Sequence, residues 1–103
     1  MLKPHEIQKL RSMLRHEDDR LPIVFGALSD PKRCKIFRSF LKRERLCVSD
    51  VAHTLGISMS LASQHLKVLE VTKLVVRERE GRTVYFRPNT HDELVRAVIK
   101  AVQ

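Results

Sequence analysis

Ser60, Ser63, Gln64 and Lys67 recur at helical spacing within the stretch Ser58–Leu69, SMSLASQHLKVL. At about 3.6 residues per turn they share one face, and Ala62, Leu66 and Leu69 share the opposite one. The polar face is small, hydroxylated, amide-bearing and basic, with no carboxylate before Glu70. Hydroxyl and amide groups pair with base edges and a lysine pairs with phosphate, so this is the chemistry of a helix in the major groove of duplex DNA. A Ser-rich surface helix has the same pattern, and the stretch alone does not choose between the two.

The residues just upstream do. In Val48–Ser58, VSDVAHTLGIS, Ser49 is expected to cap a short helix carrying Val51, Ala52 and Leu55. Gly56 supplies the left-handed residue that ends it, and Ser58 caps the second helix. A short helix, a Gly-containing turn and a second helix with a polar outer face make a helix-turn-helix over residues 49–71. The expected DNA contacts on it are Ser58, Ser60, Ser63, Gln64, His65 and Lys67. His65 lies between the two faces, so packing and base contact are both open to it.

Residues 74–88 come next as two β-branched and aromatic runs around Glu80-Gly81, the pattern of a hairpin, with Pro88 stopping the second strand. A hairpin directly after such a helix is the wing of a winged helix. Arg79 and Arg82 at its tip have no obvious partner in the chain and suit the DNA backbone or a minor groove.

These parts need a scaffold, and 103 residues suffice for one domain, residues 1–103, with a modest core. Residues 4–19 predict an amphipathic helix with Pro4 at its start and Ile7, Leu10, Met13 and Leu14 in one stripe. His16-Glu17-Asp18-Asp19 is read as a polar link, with an Asp capping the next helix, rather than as a metal cluster. Residues 21–28 are nearly all apolar and predict a short buried helix. Asp30 as cap and Pro31 at the first position then open a helix to about Lys42, with Ile36, Phe37, Phe40 and Leu41 facing inward. Lys32, Arg33, Lys35, Arg38, Lys42, Arg43 and Arg45 surround it, mostly as a solvated flank, some within reach of phosphate. Thr90-x-x-Glu93 reads as a capping box opening a last helix over residues 91–102. Its apolar surface is too wide for one small core to cover. Ile7, Leu10, Leu14, Leu94, Val95, Val98 and Val102 are therefore expected to form a homodimer interface. The expected fold is mainly α with a small β-hairpin wing. It is a winged helix-turn-helix in which a short strand stands before the helix-turn-helix, with an extra N-terminal helix.

Lys and Arg total 20 against 12 acids, and residues 1–30 hold five of each sign, so residues 31–103 carry the whole charge of +8. A basic body suits a polyanionic partner. No apolar run approaches membrane-spanning length and no signal peptide is visible, so no membrane partner is expected. The two cysteines, Cys34 and Cys47, make no disulfide framework, and a cytoplasmic location is the default. Neither a nucleophile–base pair nor a phosphate loop is present, so the chain is not read as an enzyme.

The chain resembles the arsenic-repressor (ArsR/SmtB) family of winged-helix regulators over about residues 20–102. The match is carried by Ala27–Arg33 (ALSDPKR), Leu46–Ala52 (LCVSDVA), Leu55–Ser58 with Ser63–Leu69 (LGIS, SQHLKVL), and Arg79–Phe86 (REGRTVYF). The resemblance implies a homodimeric repressor that binds double-stranded operator DNA and usually releases it to an inducer. Lys73 stands where many relatives have Gly, and only a local change in that turn is expected.

Metal sensors of the resembled family often carry Cys-Val-Cys at the position of Cys47-Val48-Ser49, so the second thiolate is missing here. Zinc-type members use an Asp-x-His at the position of Asn89 and His91 and a later His where Val102 stands or the chain has passed Gln103. Each set keeps one ligand of the three or four needed, Cys47 and His91, so no metal inducer and no cofactor are expected. A thiol switch using Cys34 and Cys47 is an alternative. The helix from Cys34 to Lys42 spans ~12 Å, which favours a separation beyond the ~7 Å limit within one subunit and leaves pairing between subunits open. An alternative of another class is a winged helix used for protein or RNA contact. Single-strand RNA readers stack bases on exposed aromatics; Phe25, Phe37 and Phe40 read as buried, leaving Tyr85 and Phe86.

Overall fold

The computed structural model describes residues 1–15 and 19–103. Among these residues the order is α1 (Pro4–Arg15), α2 (Arg20–Ser29), α3 (Pro31–Ser39), β1 (Leu46–Cys47), α4 (Val48–Leu55), α5 (Met59–Val71), β2 (Val75–Glu80), β3 (Thr83–Pro88) and α6 (Glu93–Val102). This is a winged helix-turn-helix preceded by an additional helix. His16, Glu17 and Asp18 of the expected polar link lie outside the described residues.

One core gathers the inward faces. Ile36, Phe37 and Phe40 from α3 and its exit meet Val51 and Ala52 of α4 and Ala62, Leu66 and Leu69 of α5. Leu74, Val75 and Phe86 close it from the sheet, and Val24, Ala27, Val95 and Val98 from α2 and α6. The sheet order is β1-β3-β2, all antiparallel, with Leu46 opposite Phe86, Cys47 opposite Tyr85, and β2 running from Val75 opposite Pro88 to Glu80 opposite Thr83. Glu80 is therefore the last paired residue, and the two-residue loop is Gly81-Arg82, one position later than the sequence suggested. Gly81 holds a φ of 61°, a left-handed conformation that a two-residue hairpin loop needs and glycine adopts without penalty.

Four helix boundaries differ from the local rules. Asp30 does cap α3, its carboxylate accepting the Arg33 amide at 2.9 Å, but α3 ends at Ser39. The chain still turns to Lys42, in tighter steps: the amides of Phe40, Leu41 and Lys42 donate to the carbonyls of Phe37, Arg38 and Ser39. Ser49 is not the cap of α4. Pairing of β1 with β3 carries extended backbone through Cys47, which takes the cap position and donates its amide to the Asp50 carboxylate at 3.0 Å. Thr90 does not cap α6 either; Asp92 does, accepting the Leu94 amide at 3.0 Å. Asp19 stands at the cap position of α2 but its side chain makes no capping bond.

Burial corrects two further expectations, the buried α2 and the place of Val95 and Val98. Only Val24 and Ala27 of α2 are buried, whereas Ile23 and Phe25 are 55% and 61% exposed, because a helix offers the core one face only. Val95 and Val98 lie in the chain's own core and leave the expected dimer surface; Leu94 and Val102 are half-buried against that core. α1 buries none of its residues, and Ile7, Leu10, Met13 and Leu14 stay exposed. Among the described residues no helix is long and apolar enough to cross a membrane.

Candidate nucleic-acid interface

α4 ends in a two-bond stop. The Gly56 amide donates to the His53 carbonyl at 3.3 Å and the Ile57 amide to the Ala52 carbonyl at 3.0 Å, with Gly56 at a φ of 64°. Ser58 comes next in extended backbone, and its Oγ accepts the Leu61 amide at 3.0 Å. The Ser58 hydroxyl oxygen thus fixes where α5 begins. From that start, Ala62, Leu66 and Leu69 turn fully into the core, and Ser60, Ser63, Gln64 and Lys67 all emerge on the exposed side. His65 does not join them. It is only 9% exposed, and its Nε2 is buried without a hydrogen-bond partner among the described residues, so the expected choice between packing and base contact resolves to packing.

The far end of α5 carries the same stop with a different residue. The Lys73 amide donates to the Glu70 carbonyl at 3.0 Å and the Leu74 amide to the Leu69 carbonyl at 2.9 Å. Lys73 takes the left-handed position, φ 64°, where glycine would sit without a Cβ penalty. The turn itself is unchanged, so the departure is a strained lysine rather than a rearranged loop. Asn89 locks the hairpin's return to this point, donating Nδ2 to the Lys73 carbonyl at 3.1 Å and its amide to the Leu74 carbonyl at 3.0 Å.

Carboxylates near the wing are neutralised inside the chain. Arg77 grips Glu70 through Nε at 2.9 Å and Nη2 at 3.1 Å, which raises the already high guanidinium pKa. Arg87 meets Glu78 at 3.3 Å, and Arg45 meets Glu80 at 2.5 Å, which likewise raises Arg45. The Arg45 guanidinium also covers the Tyr85 ring at 4.0 Å. Phe86 is buried, so neither aromatic of this strand offers an open ring, contrary to the expectation that both were available. Arg79, expected to lack a partner, donates Nε to the Gly81 carbonyl at 3.2 Å and braces the hairpin tip. Arg82 and Lys67 are exposed and, among the described residues, meet no carboxylate. Arg45 was missed as a wing residue because its link to Glu80 and Tyr85 runs through the β1–β3 pairing.

At the positions where the resembled family's metal ligands would stand, several side chains are engaged elsewhere. Ser49, where a second thiolate would be needed, has its Oγ 3.3 Å from His53 Nδ1. The Asn89 side chain is committed to Lys73, and His91 is exposed in the turn before α6. Among the described residues no three His, Cys, Asp or Glu side chains stand together as a metal cage. Cys34 and Cys47 are both half-buried and free.

The model of the family described as bacterial regulatory protein, arsR family, matches residues 30–75, from the cap of α3 to the start of β2. Over 73 residues the chain is 38% identical to nodulation protein NolR of Rhizobium meliloti, a match covering 70% of this chain and 59% of that protein. Over 67 residues it is 36% identical to the transcriptional repressor SdpR of Bacillus subtilis, covering 65% of this chain and 73% of that one. The solved transcriptional regulator HlyU of Vibrio vulnificus superposes with a TM-score of 0.75 at 28% identity, covering 91% of this chain and 94% of that one. The chain spans less than two thirds of the length of NolR.

Proposed function

The chain belongs to the arsR family of bacterial regulatory proteins, and from that premise we propose that it is a homodimeric, sequence-specific binder of duplex DNA that represses transcription and has no catalytic role. The observation that carries this reading is the face of α5. Ser60, Ser63, Gln64 and Lys67 emerge together, without a carboxylate among them, on a helix whose start is fixed by Ser58 and Gly56. Such a helix places hydroxyl and amide groups at base edges while the wing, with its acids paired and Arg82 projecting, tracks the backbone. Duplex DNA is favoured over single-stranded RNA because Phe86 is buried and Arg45 covers the Tyr85 ring, while the exposed Phe25 stands on α2 rather than on the α5 face or the wing.

The homodimer reading rests on α1, whose apolar stripe has no cover among the described residues. Leu94 and Val102 of α6, half-buried here, would complete that surface. Two such subunits would read an inverted repeat with half-sites about one helical turn, ~34–36 Å, apart. The inducer is proposed to be something other than zinc, cadmium or arsenite, because the ligand sets are incomplete and Asn89 and Ser49 are otherwise engaged. A DNA regulator of this kind works in the cytoplasm.

Selection from a random duplex pool, with light scattering of the protein alone and of the selected complex, tests the reading. The expected result is an enriched inverted repeat holding one dimer. A pool without enrichment, or a folded monomer at micromolar concentration, would sink it.

A further inference from the structure

We propose that Lys32 and Lys35 of α3 form a phosphate clamp on the DNA backbone, separate from the α5 face and the wing. The inference rests on the duplex-DNA reading above. Both lysines are exposed, one turn apart on the same side of α3. With Thr54 and Leu55, the last residues of α4, they line a shallow cleft of about 290 Å³.

Several of the other basic side chains have work within the fold. Arg33, between them in sequence, turns inward and donates Nε to the Ala27 carbonyl at 2.7 Å. Arg45, Arg77 and Arg87 are held by Glu80, Glu70 and Glu78. Among the described residues neither Lys32 nor Lys35 meets a carboxylate. Asp30, the nearest acid in sequence, is turned onto the Arg33 amide, which holds its carboxyl below the usual range. Nor does the end of α4 need the lysines as a cap. Its Ala52 and His53 carbonyls already accept the amides of Ile57 and Gly56, and the Thr54 hydroxyl donates to the Asp50 carbonyl at 2.7 Å.

Position supplies the ligand. Three residues beyond Leu55 the chain reaches Ser58, the start of α5, so the cleft flanks the turn that delivers the groove-facing helix. In a docked helix-turn-helix the first helix crosses the phosphate backbone, and Lys32 and Lys35 share a cleft with the end of that helix. A flexible ammonium pair fits phosphates as point charges and carries no base preference.

The competing account is net positive charge alone, and α3 contains its own control. Arg38 and Lys42 lie at the opposite end, beside Val102 and Gln103. The experiment is an anisotropy titration of a labelled random-sequence duplex across a sodium chloride series, with wild type, Lys32→Ala/Lys35→Ala and Arg38→Ala/Lys42→Ala. Removing the clamp should flatten the log–log salt slope by about two per subunit, at roughly 0.9 per phosphate contact, while the charge-matched control keeps the wild-type slope. Equal flattening by both pairs, or none from the Lys32/Lys35 pair, would overturn the clamp and leave the DNA reading standing. A wild type that bound no duplex would overturn both.

Discussion

Arg20 and Asp92, 72 positions apart, are joined by two parallel hydrogen bonds, Nη1 to Oδ2 at 2.6 Å and Nη2 to Oδ1 at 2.9 Å. The same carboxylate accepts the Leu94 amide. One side chain therefore starts α6 and fastens it to the first residue of α2. Helix geometry that a capping rule treats as local is set here by a partner from the other end of the chain.

The Arg20 guanidinium holds the Asp92 carboxyl below the usual carboxylate range. A depressed folded pKa contributes stability that is fully present above the unfolded value, ~3.9, and is lost as pH falls through the folded value. Asp92→Ala, which removes both cap and ion pair, should cost about 1–2 kcal/mol at neutral pH. Asp92→Asn should be less stable than wild type at pH 7, and the gap should close on acidification below about 4. Urea unfolding at a series of pH values measures it; a gap constant down to the acid limit of folding would contradict the pairing. Asp30 and Asp50, also held low by the Arg33 and Cys47 amides, titrate in the same direction and are common to both proteins.

Lys73 and Gly56 occupy equivalent left-handed positions at the ends of α5 and α4, both at a φ of 64°. A left-handed L-residue costs roughly 1–2 kcal/mol, partly offset in a glycine variant by the greater freedom of its unfolded chain. Lys73→Gly should therefore raise stability by about 0.5–1 kcal/mol. Gly56→Ala should lower it by about 1 kcal/mol, and since a Cβ there meets nothing within 4 Å, backbone strain is the whole cause. Thermal unfolding of the two variants should move in opposite directions.

Much of this fold was legible because several local signals agree at the same residues. Asp30 with Pro31, Gly56 with Ser58, and the spacing of Ala62, Leu66 and Leu69 each place α3, α4 and α5 without any distant contact. The helix starts at Cys47 and Asp92 were not legible, since strand pairing selects one and Arg20 accompanies the other. Val95 and Val98 show a second limit: a wide apolar face looks the same whether the protein's own core or a partner covers it. Arg79 shows a third, because its acceptor is a backbone carbonyl that residue types cannot reveal.

Those valines separate folding from assembly. Leu14 is 58% exposed on α1, whereas Val98 is packed in the core. Leu10→Glu with Leu14→Glu should leave the helical circular dichroism and cooperative unfolding of the protomer in place while lowering the mass seen by light scattering to that of a monomer. Val98→Asp should instead abolish cooperative unfolding, since it buries an unpaired carboxylate. Loss of fold in the α1 variant would show that its stripe serves the protomer.

His65 offers a test of packing against readout. Its imidazole is buried with Nε2 unpaired among the described residues, so His65→Leu keeps the volume while removing an unsatisfied polar atom and should fall within about 1 kcal/mol of wild type. His65→Ala leaves a cavity and should cost about 1–3 kcal/mol. Both should bind a selected operator with wild-type affinity below their unfolding temperatures. Operator binding lost in a stable Leu variant would restore His65 to the interface.

Gln64 and Arg82 separate sequence reading from charge. Gln64 emerges from the first turns of α5, the part of such a helix that reaches deepest into a major groove, and its amide both donates and accepts. Gln64→Ala should cost about 1–3 kcal/mol on a selected operator and little on random duplex. Arg82 is exposed in the hairpin loop and, among the described residues, meets no carboxylate, so Arg82→Ala should weaken operator and random duplex alike and reduce the salt slope by about one counterion per subunit. Arg79 differs, because its Nε is held by the Gly81 carbonyl. Arg79→Ala should add a loosening of the loop, visible as faster amide exchange at the hairpin tip, to its loss of charge. Salt titrations of both duplexes with each variant measure all of this. If Gln64→Ala lowered both affinities equally while Arg82→Ala affected only the operator, the roles of helix and wing would have to be exchanged.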